Sequence, residues 1–154
     1  MNQQKNLEIL IELRKNAREQ LTKISKKTKI PVSTIHDKIR SNNNIIIKHV
    51  SILDFEKLGF TGRATICIKC HKKSKENFYN MIKKHQNINN LYKINNGFDY
   101  MFEVIFKNFK DLEDFIEKIE DEYSIKTKQV YYIIAELIKE KFLSDQLHIP
   151  ITTY

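Results

Sequence analysis

Apolar residues recur at helical spacing along the first 42 positions of the chain. Leu10 and Ile11 follow Leu7 by three and four residues, as one face of a helix requires. Pro31 has no backbone N–H and biases the residue before it away from helical angles, so residues 29–32 are predicted to form a turn. Three helices are expected, over 4–15, 19–28 and 33–42.

Strand-like patterns begin at residue 46. The segment Ile46–Leu53 is rich in β-branched residues and predicts a first strand. Beyond Gly62 strand-like and helix-like segments follow in the order β-α-β-β-α-β. This order is typical of a ferredoxin-like fold, a four-stranded antiparallel sheet with two helices on one face. The expected strands are 63–70, 88–94, 98–106 and 125–136, and the expected helices are 75–85, 110–122 and a short one over 137–143.

Both faces of this predicted sheet carry apolar side chains. Along 98–106, Phe102 and Val104 alternate with Met101 and Ile105. Two helices cover one face, and an antiparallel sheet then leaves its other face bare. A second copy of the chain is the simplest cover for such a face, so we expect at least a dimer.

The positive charge of the chain is concentrated near its N-terminus. The 154 residues carry 27 Lys and Arg against 19 Asp and Glu, a formal net charge of +8. Residues 1–60 hold +6 of this charge, and residues 61–154 hold +2. A lysine-rich genome could raise the total, but it would not place the charge in the first third of the chain. That third is therefore predicted to face an anionic partner, nucleic acid above all.

The segment Leu21–Arg40 predicts the DNA-binding element. Two short helices joined by a tight turn form a helix-turn-helix pattern, whose second helix fits a major groove. Hydroxyl groups near the start of that helix reach phosphates or base edges, while Arg40 can make a bidentate contact. A small helical bundle with a solvated lysine face is the structural alternative. The candidate DNA-binding residues are Lys26, Lys27, Ser33, Thr34, His36, Lys38 and Arg40.

Other classes of function fit the sequence poorly. Cys67 and Cys70 would point to opposite faces of one strand, so we predict no metal site there. Phosphate loops, nucleophile elbows and metalloprotease helices are missing, so we expect neither an enzyme nor a cofactor. No apolar run approaches the roughly 18–20 residues of a membrane span, and no secretory signal is recognisable, so we expect a cytoplasmic protein without a membrane partner. A ferredoxin-like RNA-binding module needs basic residues beside the exposed aromatics of its sheet. Residues 61–154, which contain the predicted sheet, carry a net charge of only +2, so this function fits poorly.

Three landmarks occur in one order along the chain, and together they resemble a known family. They are the helix-turn-helix segments Leu21–Ser25 and Val32–Ile35, the linking strand Ile46–Lys48 with the Asp-x-x-x-Leu-Gly exit in Leu53–Phe60, and the Gly-x-Asp-Tyr turn in Asn96–Tyr100. In these features the chain resembles the Lrp/AsnC family (leucine-responsive, or feast/famine, transcription regulators) over nearly all of residues 5–143. It departs from the family at Lys29, where a turn glycine is usual, and over 41–45, where a glycine before the linking strand is missing.

The resemblance implies a fold and a set of partners. The expected fold class is α+β, with a winged helix-turn-helix domain over 1–45, a linking strand and hinge over 46–60, and a ferredoxin-like effector-binding and oligomerisation domain over 61–154. The implied partners are double-stranded DNA, a second copy in a homodimer that can extend to a tetramer or octamer, and an amino acid or similar small metabolite. The candidate effector-binding residues are Gly97, Asp99 and Tyr100. Turn chemistry without a ligand is the alternative role of Asp99.

Residues and resemblance together predict a sequence-specific DNA-binding transcription regulator, dimeric or larger, that a small ligand modulates. Its two recognition helices would enter successive major grooves, about one helical turn apart. The alternative is a small-molecule-binding ferredoxin-like oligomer whose N-terminal helices mediate protein contacts.

Overall fold

The computed structural model describes residues 2–41 and 45–144. Their contacts divide them into two compact units. The helical unit contains the residues up to Ile52 together with those from Leu137 onward, and the sheet unit is Leu53–Glu136. The grouping of Leu137 and later residues with the helices was not expected from the sequence. The described residues include no helix with the length and apolar character that a bilayer crossing demands.

Three helices pack around buried isoleucines in the helical unit. The helices are α1 (Asn2–Lys15), α2 (Leu21–Thr28) and α3 (Val32–Ser41). Ile9, Ile24 and Ile35 are fully buried at their junction, and Ile30 in the turn between α2 and α3 joins them. Each of these side chains contributes on the order of 2 kcal/mol of burial free energy, so they fix α3 against the other two helices.

The sheet unit has the β-α-β-β-α-β order that the sequence predicts. Its elements are β1 (Gly62–Cys70), α4 (Lys75–Ile82), β2 (Ile88–Lys93), β3 (Tyr100–Phe106), α5 (Phe109–Glu122) and β4 (Ile125–Tyr132). The strands form one antiparallel sheet in the order β2-β3-β1-β4. Asn108 caps α5, since its side chain accepts a hydrogen bond from the Asp111 N–H at 2.8 Å.

The two faces of the sheet differ in character. One face packs on α4 and α5 and buries the even-numbered side chains of β1 and β3, with Phe78 and Leu112 from the helices. We call the opposite face, which neither α4 nor α5 covers, the bare face. Its residues are Arg63, Thr65, Cys67 and Lys69 of β1, Met101, Glu103 and Ile105 of β3, and Gln129 and Tyr131 of β4. Cys70 lies in the core on the helix side and Cys67 outside it, so the two thiols face opposite ways, as predicted.

Gly62 allows a close approach between β1 and the start of α5. A Cβ atom built on this residue would clash with the backbone carbonyl of Asn108. The neighbouring Thr61 donates from its N–H and its hydroxyl to the Lys107 carbonyl, at 3.2 and 3.1 Å. The contact is therefore between two backbones, and only glycine fits there without a shift.

Two predicted elements are wrong for the described chain. Residues 46–53 form no strand, because β-branched residues favour extended backbone but a strand also needs a partner to take its hydrogen bonds. Several side chains here lie in solvent, and Ile47 is 95% exposed. The helix predicted over 137–143 is also absent, since Glu140 and Leu143 have positive φ angles of 48° and 57°. β4 ends at Tyr132 instead of residue 136.

Candidate nucleic-acid interface and effector site

The turn between α2 and α3 contains a lysine where the backbone is left-handed. Lys29 has φ 59° and ψ 23°, and its N–H donates to the Ser25 carbonyl at 2.9 Å. Left-handed backbone is strained for a residue with a Cβ and relaxed for glycine. The turn therefore keeps the geometry that glycine favours, and the burial of Ile30 directly after it compensates for the strain.

The exposed face of α3 carries three of the predicted DNA-binding residues. Ser33, His36 and Arg40 are exposed and follow one another at helical spacing, so they share one side over about 10 Å of helix. Thr34 and Lys38 are half-buried beside this side. The opposite side of α3 is held in the core by Ile35. A hydroxyl, an imidazole and a guanidinium therefore point away from the helical unit together.

The two candidate lysines of α2 differ in their surroundings. Lys26 is exposed in the last turn of the helix. Lys27 instead donates to Glu12 at 2.7 Å and lies 3.4 Å from a Glu19 oxygen. The bond to Glu12 is the main reason that the pKa of Lys27 is raised. Lys27 is thus held by acids of its own unit.

Glu12 is a buried carboxylate that needs this partner. Its side chain is 3% exposed, and it accepts from Lys15 at 3.0 Å as well as from Lys27. Burial by itself raises the pKa of Glu12, but the hydrogen bonds from Lys27 and Lys15 outweigh it, so the pKa is lowered. The cluster ties α1 to α2 and thereby positions the helix-turn-helix.

The predicted effector residues divide between a turn and the interior. Gly97 lies in an exposed turn with φ 90°, next to Asn96 with φ 58°. Tyr100 is buried on the helix side of the sheet, where its ring stacks on Tyr79 at 5.8 Å between centroids. Asp99 is buried between them. The three residues are neighbours in sequence, but Gly97 is exposed while Asp99 and Tyr100 are buried, so they do not form one continuous exposed surface.

The Asp99 carboxylate is engaged by three donors. One oxygen accepts from Lys75 at 2.5 Å and from Lys69 at 3.2 Å, and the other accepts from the Cys70 N–H at 3.1 Å. Burial raises the pKa of Asp99, but these bonds outweigh it and the pKa is lowered. Lys75 in turn has a raised pKa, chiefly because of its bond to Asp99. This arrangement joins the end of β1 to the start of α4.

A second charged cluster lies on the bare face at the other end of β1. Arg63 is 8% exposed and donates to Glu103 at 2.6 Å and to Glu136 at 3.4 Å. Glu103 also accepts from the side-chain amides of Asn89 and Asn90. The sequence pattern assigned the bare face apolar residues and missed these clusters, because their partners meet only through the sheet register.

Comparison with known proteins identifies the family of this chain. A sequence model described as the Lrp/AsnC ligand binding domain matches residues 63–142, more than half of the chain. The chain belongs to the Lrp/AsnC family. It is 28% identical over 109 residues to the HTH-type transcriptional regulator FL11 of Pyrococcus horikoshii, covering 70% of this chain and 72% of that protein.

Two solved structures share the fold. LrpC of B. subtilis is 22% identical with a TM-score of 0.77, covering 88% of this chain and 96% of that one. The transcriptional regulator NMB0573 of Neisseria meningitidis, solved as a complex with L-Met, is 16% identical with a TM-score of 0.79, covering 88% and 91%. This Lrp/AsnC protein is a DNA-binding transcription regulator, built from a helix-turn-helix unit and a ferredoxin-like ligand-binding domain.

A glycine at position 29 should stabilise the helical unit. Lys29→Gly relaxes the left-handed backbone, and after the greater freedom of glycine in the unfolded chain is subtracted we expect a gain of about 1 kcal/mol. Urea unfolding followed by circular dichroism measures it. Lys29→Ala is the matched control, since it removes the charge and keeps the strain. Equal stability of the two variants would contradict the explanation.

Proposed function

We propose that the regulator binds double-stranded DNA through the exposed side of α3. The observation that carries this proposal is the alignment of Ser33, His36 and Arg40 on one side of a helix whose other side is fixed in an isoleucine core. Major-groove readout needs an exposed helix of this kind, with side chains that reach base edges and phosphates. Thr34 and Lys38 border the same surface.

The two candidate lysines of α2 contribute differently to the proposed DNA interface. Lys26 is exposed in the last turn of α2, and we assign it a contact with the phosphate backbone. Lys27 must leave Glu12 and Glu19 before it can contact a phosphate, so we assign it mainly to positioning α2. Among the predicted residues, Arg40 is then the strongest single contributor, because a guanidinium binds guanine or phosphate in a bidentate manner.

Replacing two cations of α3 should weaken DNA binding and its salt dependence together. For Lys38→Ala with Arg40→Ala we expect a loss of about tenfold to a hundredfold in affinity, and a salt slope smaller by about two. Gel shift or fluorescence anisotropy on DNA selected from a random pool measures both quantities. The matched control is Lys84→Ala with Lys110→Ala, which removes the same charge from exposed positions of the sheet unit. It should change neither the affinity nor the salt slope much. Equal effects of the two pairs would remove α3 from the interface.

We also assign the bare face and the 45–53 segment to an interface between copies of the chain. Met101 and Ile105 are half-buried on the bare face, and Tyr131 is 53% exposed there. Five large apolar side chains of the 45–53 segment are about half-exposed or more: Ile45, Ile47, Val50, Ile52 and Leu53. Exposed apolar side chains of this kind mark interaction surfaces, and a second copy covers such surfaces with closed symmetry. Extension to tetramers or octamers is the proposed further step.

The assembly is tested by light scattering during gel filtration. The wild-type chain should elute as a dimer or larger species at micromolar concentration. Tyr131→Glu places a charge on the bare face and should shift the protein toward monomer, whereas Tyr131→Phe keeps the ring and should not. A wild-type monomer would refute the proposed interface.

An amino acid or similar small metabolite is the proposed effector, with Gly97, Asp99 and Tyr100 as its site. The regulator NMB0573, which shares the fold, was solved as a complex with L-Met. In this chain an α-ammonium group would compete with Lys69 and Lys75 for the Asp99 carboxylate. The two lysine ammonium groups that bond Asp99 support the proposal only in showing that this carboxylate pairs with ammonium groups.

Calorimetry with the twenty amino acids tests the effector. Wild type should bind at least one of them, and Asp99→Ala should abolish that binding. Lys75→Met is the control, because it removes one of the two ammonium groups that compete for the same Asp99 oxygen while keeping the carboxylate, and it should bind the same ligand more tightly. Thermal melts show whether each variant is folded. If the wild-type protein binds none of the twenty amino acids, the proposed effector site is refuted.

A further inference from the structure

The turn between β2 and β3 contains the single Asn-Gly pair of the sequence, Asn96 and Gly97. Asparagine is one of the chemically labile residues of proteins. Its side-chain amide carbon lies within reach of the next backbone nitrogen, which can attack it and close a cyclic imide. Glycine favours this attack, because it has no Cβ to shield the nitrogen and its backbone turns freely. The pair is therefore the place in the chain where this chemistry meets the least steric resistance.

The fold itself favours a labile pair at this turn. Asn96 and Gly97 both have left-handed backbone, with φ 58° and 90°. Asparagine and glycine are the residues that adopt such backbone most readily, so the turn is best served by the two residues that react most easily. Both are exposed, and a Cβ built on Gly97 would meet no described atom within 4 Å. Water and hydroxide therefore reach the reacting groups.

The reacting groups have no hydrogen bond to lose. Among the residues that the structure describes, neither the Asn96 side-chain amide nor the Gly97 N–H has a hydrogen-bond partner. The turn is held instead at its base, where the Ile94 N–H donates to the Asp99 carbonyl at 3.1 Å. Ring closure between Asn96 and Gly97 therefore breaks no bond of the sheet.

Nearby asparagines lack this combination of features. The side-chain amide of Asn90 donates to Glu103 at 2.8 Å, and the next residue is a leucine. Asn95 is exposed, but the next residue is Asn96, whose Cβ shields the attacking nitrogen. These two positions are internal references for the reactivity of Asn96.

We propose that Asn96 is a site of deamidation, a covalent modification that needs only water. The Gly97 nitrogen gives its proton to solvent and attacks the Asn96 Cγ. The bond from Cγ to the side-chain nitrogen breaks, and that nitrogen takes a proton from solvent and leaves as ammonia. Water then opens the cyclic imide at either of its carbonyl carbons. Opening at Cγ gives aspartate, and opening at the main-chain carbonyl carbon gives isoaspartate, whose backbone runs through the former side chain.

Either product changes the turn that contains the proposed effector residues. Aspartate adds a negative charge, and isoaspartate adds the same charge and lengthens the main chain by a methylene group. Because Ile94 and Asp99 are paired at the base of the turn, residues 95–98 must accommodate the added length directly beside Asp99. The consequence for binding rests on the proposed function. An amino-acid effector carries a carboxylate, which the new charge repels, so deamidation lowers the affinity for it.

Peptide mass spectrometry on the full-length protein tests the modification. Trypsin cuts after Lys93 and Lys107, and in the released peptide 94–107 Asn96 should lose its amide on incubation at neutral pH. Conversion should be faster at mildly alkaline pH, because the attacking nitrogen must lose its proton. Asn95 in the same peptide should convert at least about tenfold more slowly. Asn96→Gln is the matched control, since its longer side chain disfavours ring closure and should keep its amide.

The urea-unfolded chain gives the intrinsic reactivity of the pair. The folded protein should convert at a rate within about tenfold of the unfolded chain, because its turn is exposed and its reacting groups are unbonded. A folded protein that keeps Asn96 intact while the unfolded chain converts would overturn the modification site.

Calorimetry with the twenty amino acids tests the consequence for binding. Incubated wild type and Asn96→Asp should each bind the effector about tenfold more weakly than fresh wild type. Incubated Asn96→Gln should bind it as well as fresh Asn96→Gln, and thermal melts show that the variants are folded. Equal affinities of fresh and fully converted wild type would contradict the effect on the effector. If wild type binds no amino acid, the proposed effector site is refuted, while the mass of peptide 94–107 still decides whether Asn96 is modified.

Discussion

The pairing of β1 with a strand on each side is the constraint on which the sheet unit depends. Because β3 and β4 both pair with β1 along nearly its whole length, every second side chain of β1 is committed to the core and the others to the bare face. The outward set begins and ends with a cation, Arg63 and Lys69, and each neutralises a carboxylate, Glu103 and Asp99. A one-residue slip would turn both cations toward the helices and the isoleucines onto the bare face.

The sequence predicted those elements whose formation depends on residues close in the chain. Helical spacing and Pro31 were enough for α2, the turn and α3, and the alternation of apolar residues was enough for the order of elements after Gly62. The strand over 46–53 was wrong because extended backbone also needs a pairing partner, which propensity does not supply. The helix over 137–143 was wrong because Glu140 and Leu143 have positive φ angles, which local spacing does not predict; Glu140 is also bonded to Arg14, 126 residues away.

The candidate site shows the same division. The exposed positions of α3 followed from helical spacing, whereas the partners of Lys27 and Asp99 did not. Both are charged residues that sequence reasoning assigned to ligands, and both have partners within their own unit. The count of 27 Lys and Arg therefore overstates the cations available to an anionic partner, because some of them, such as Lys27 and Lys69, are engaged by nearby acids. Among the candidate residues, Lys26 and Arg40 are exposed cations that can act outward.

Under the proposed interface between copies, the exposed isoleucines of the 45–53 segment would tie the lifetime of the protein to its abundance. A chain that has not met a second copy would present this apolar stretch to solvent, where Ile47 is almost fully exposed. Proteases and chaperones recognise such stretches, and association protects them by mass action. At low copy number a larger share of chains would stay unprotected and be degraded. The amount of regulator in a cell would then adjust its own turnover before any operator or metabolite is bound.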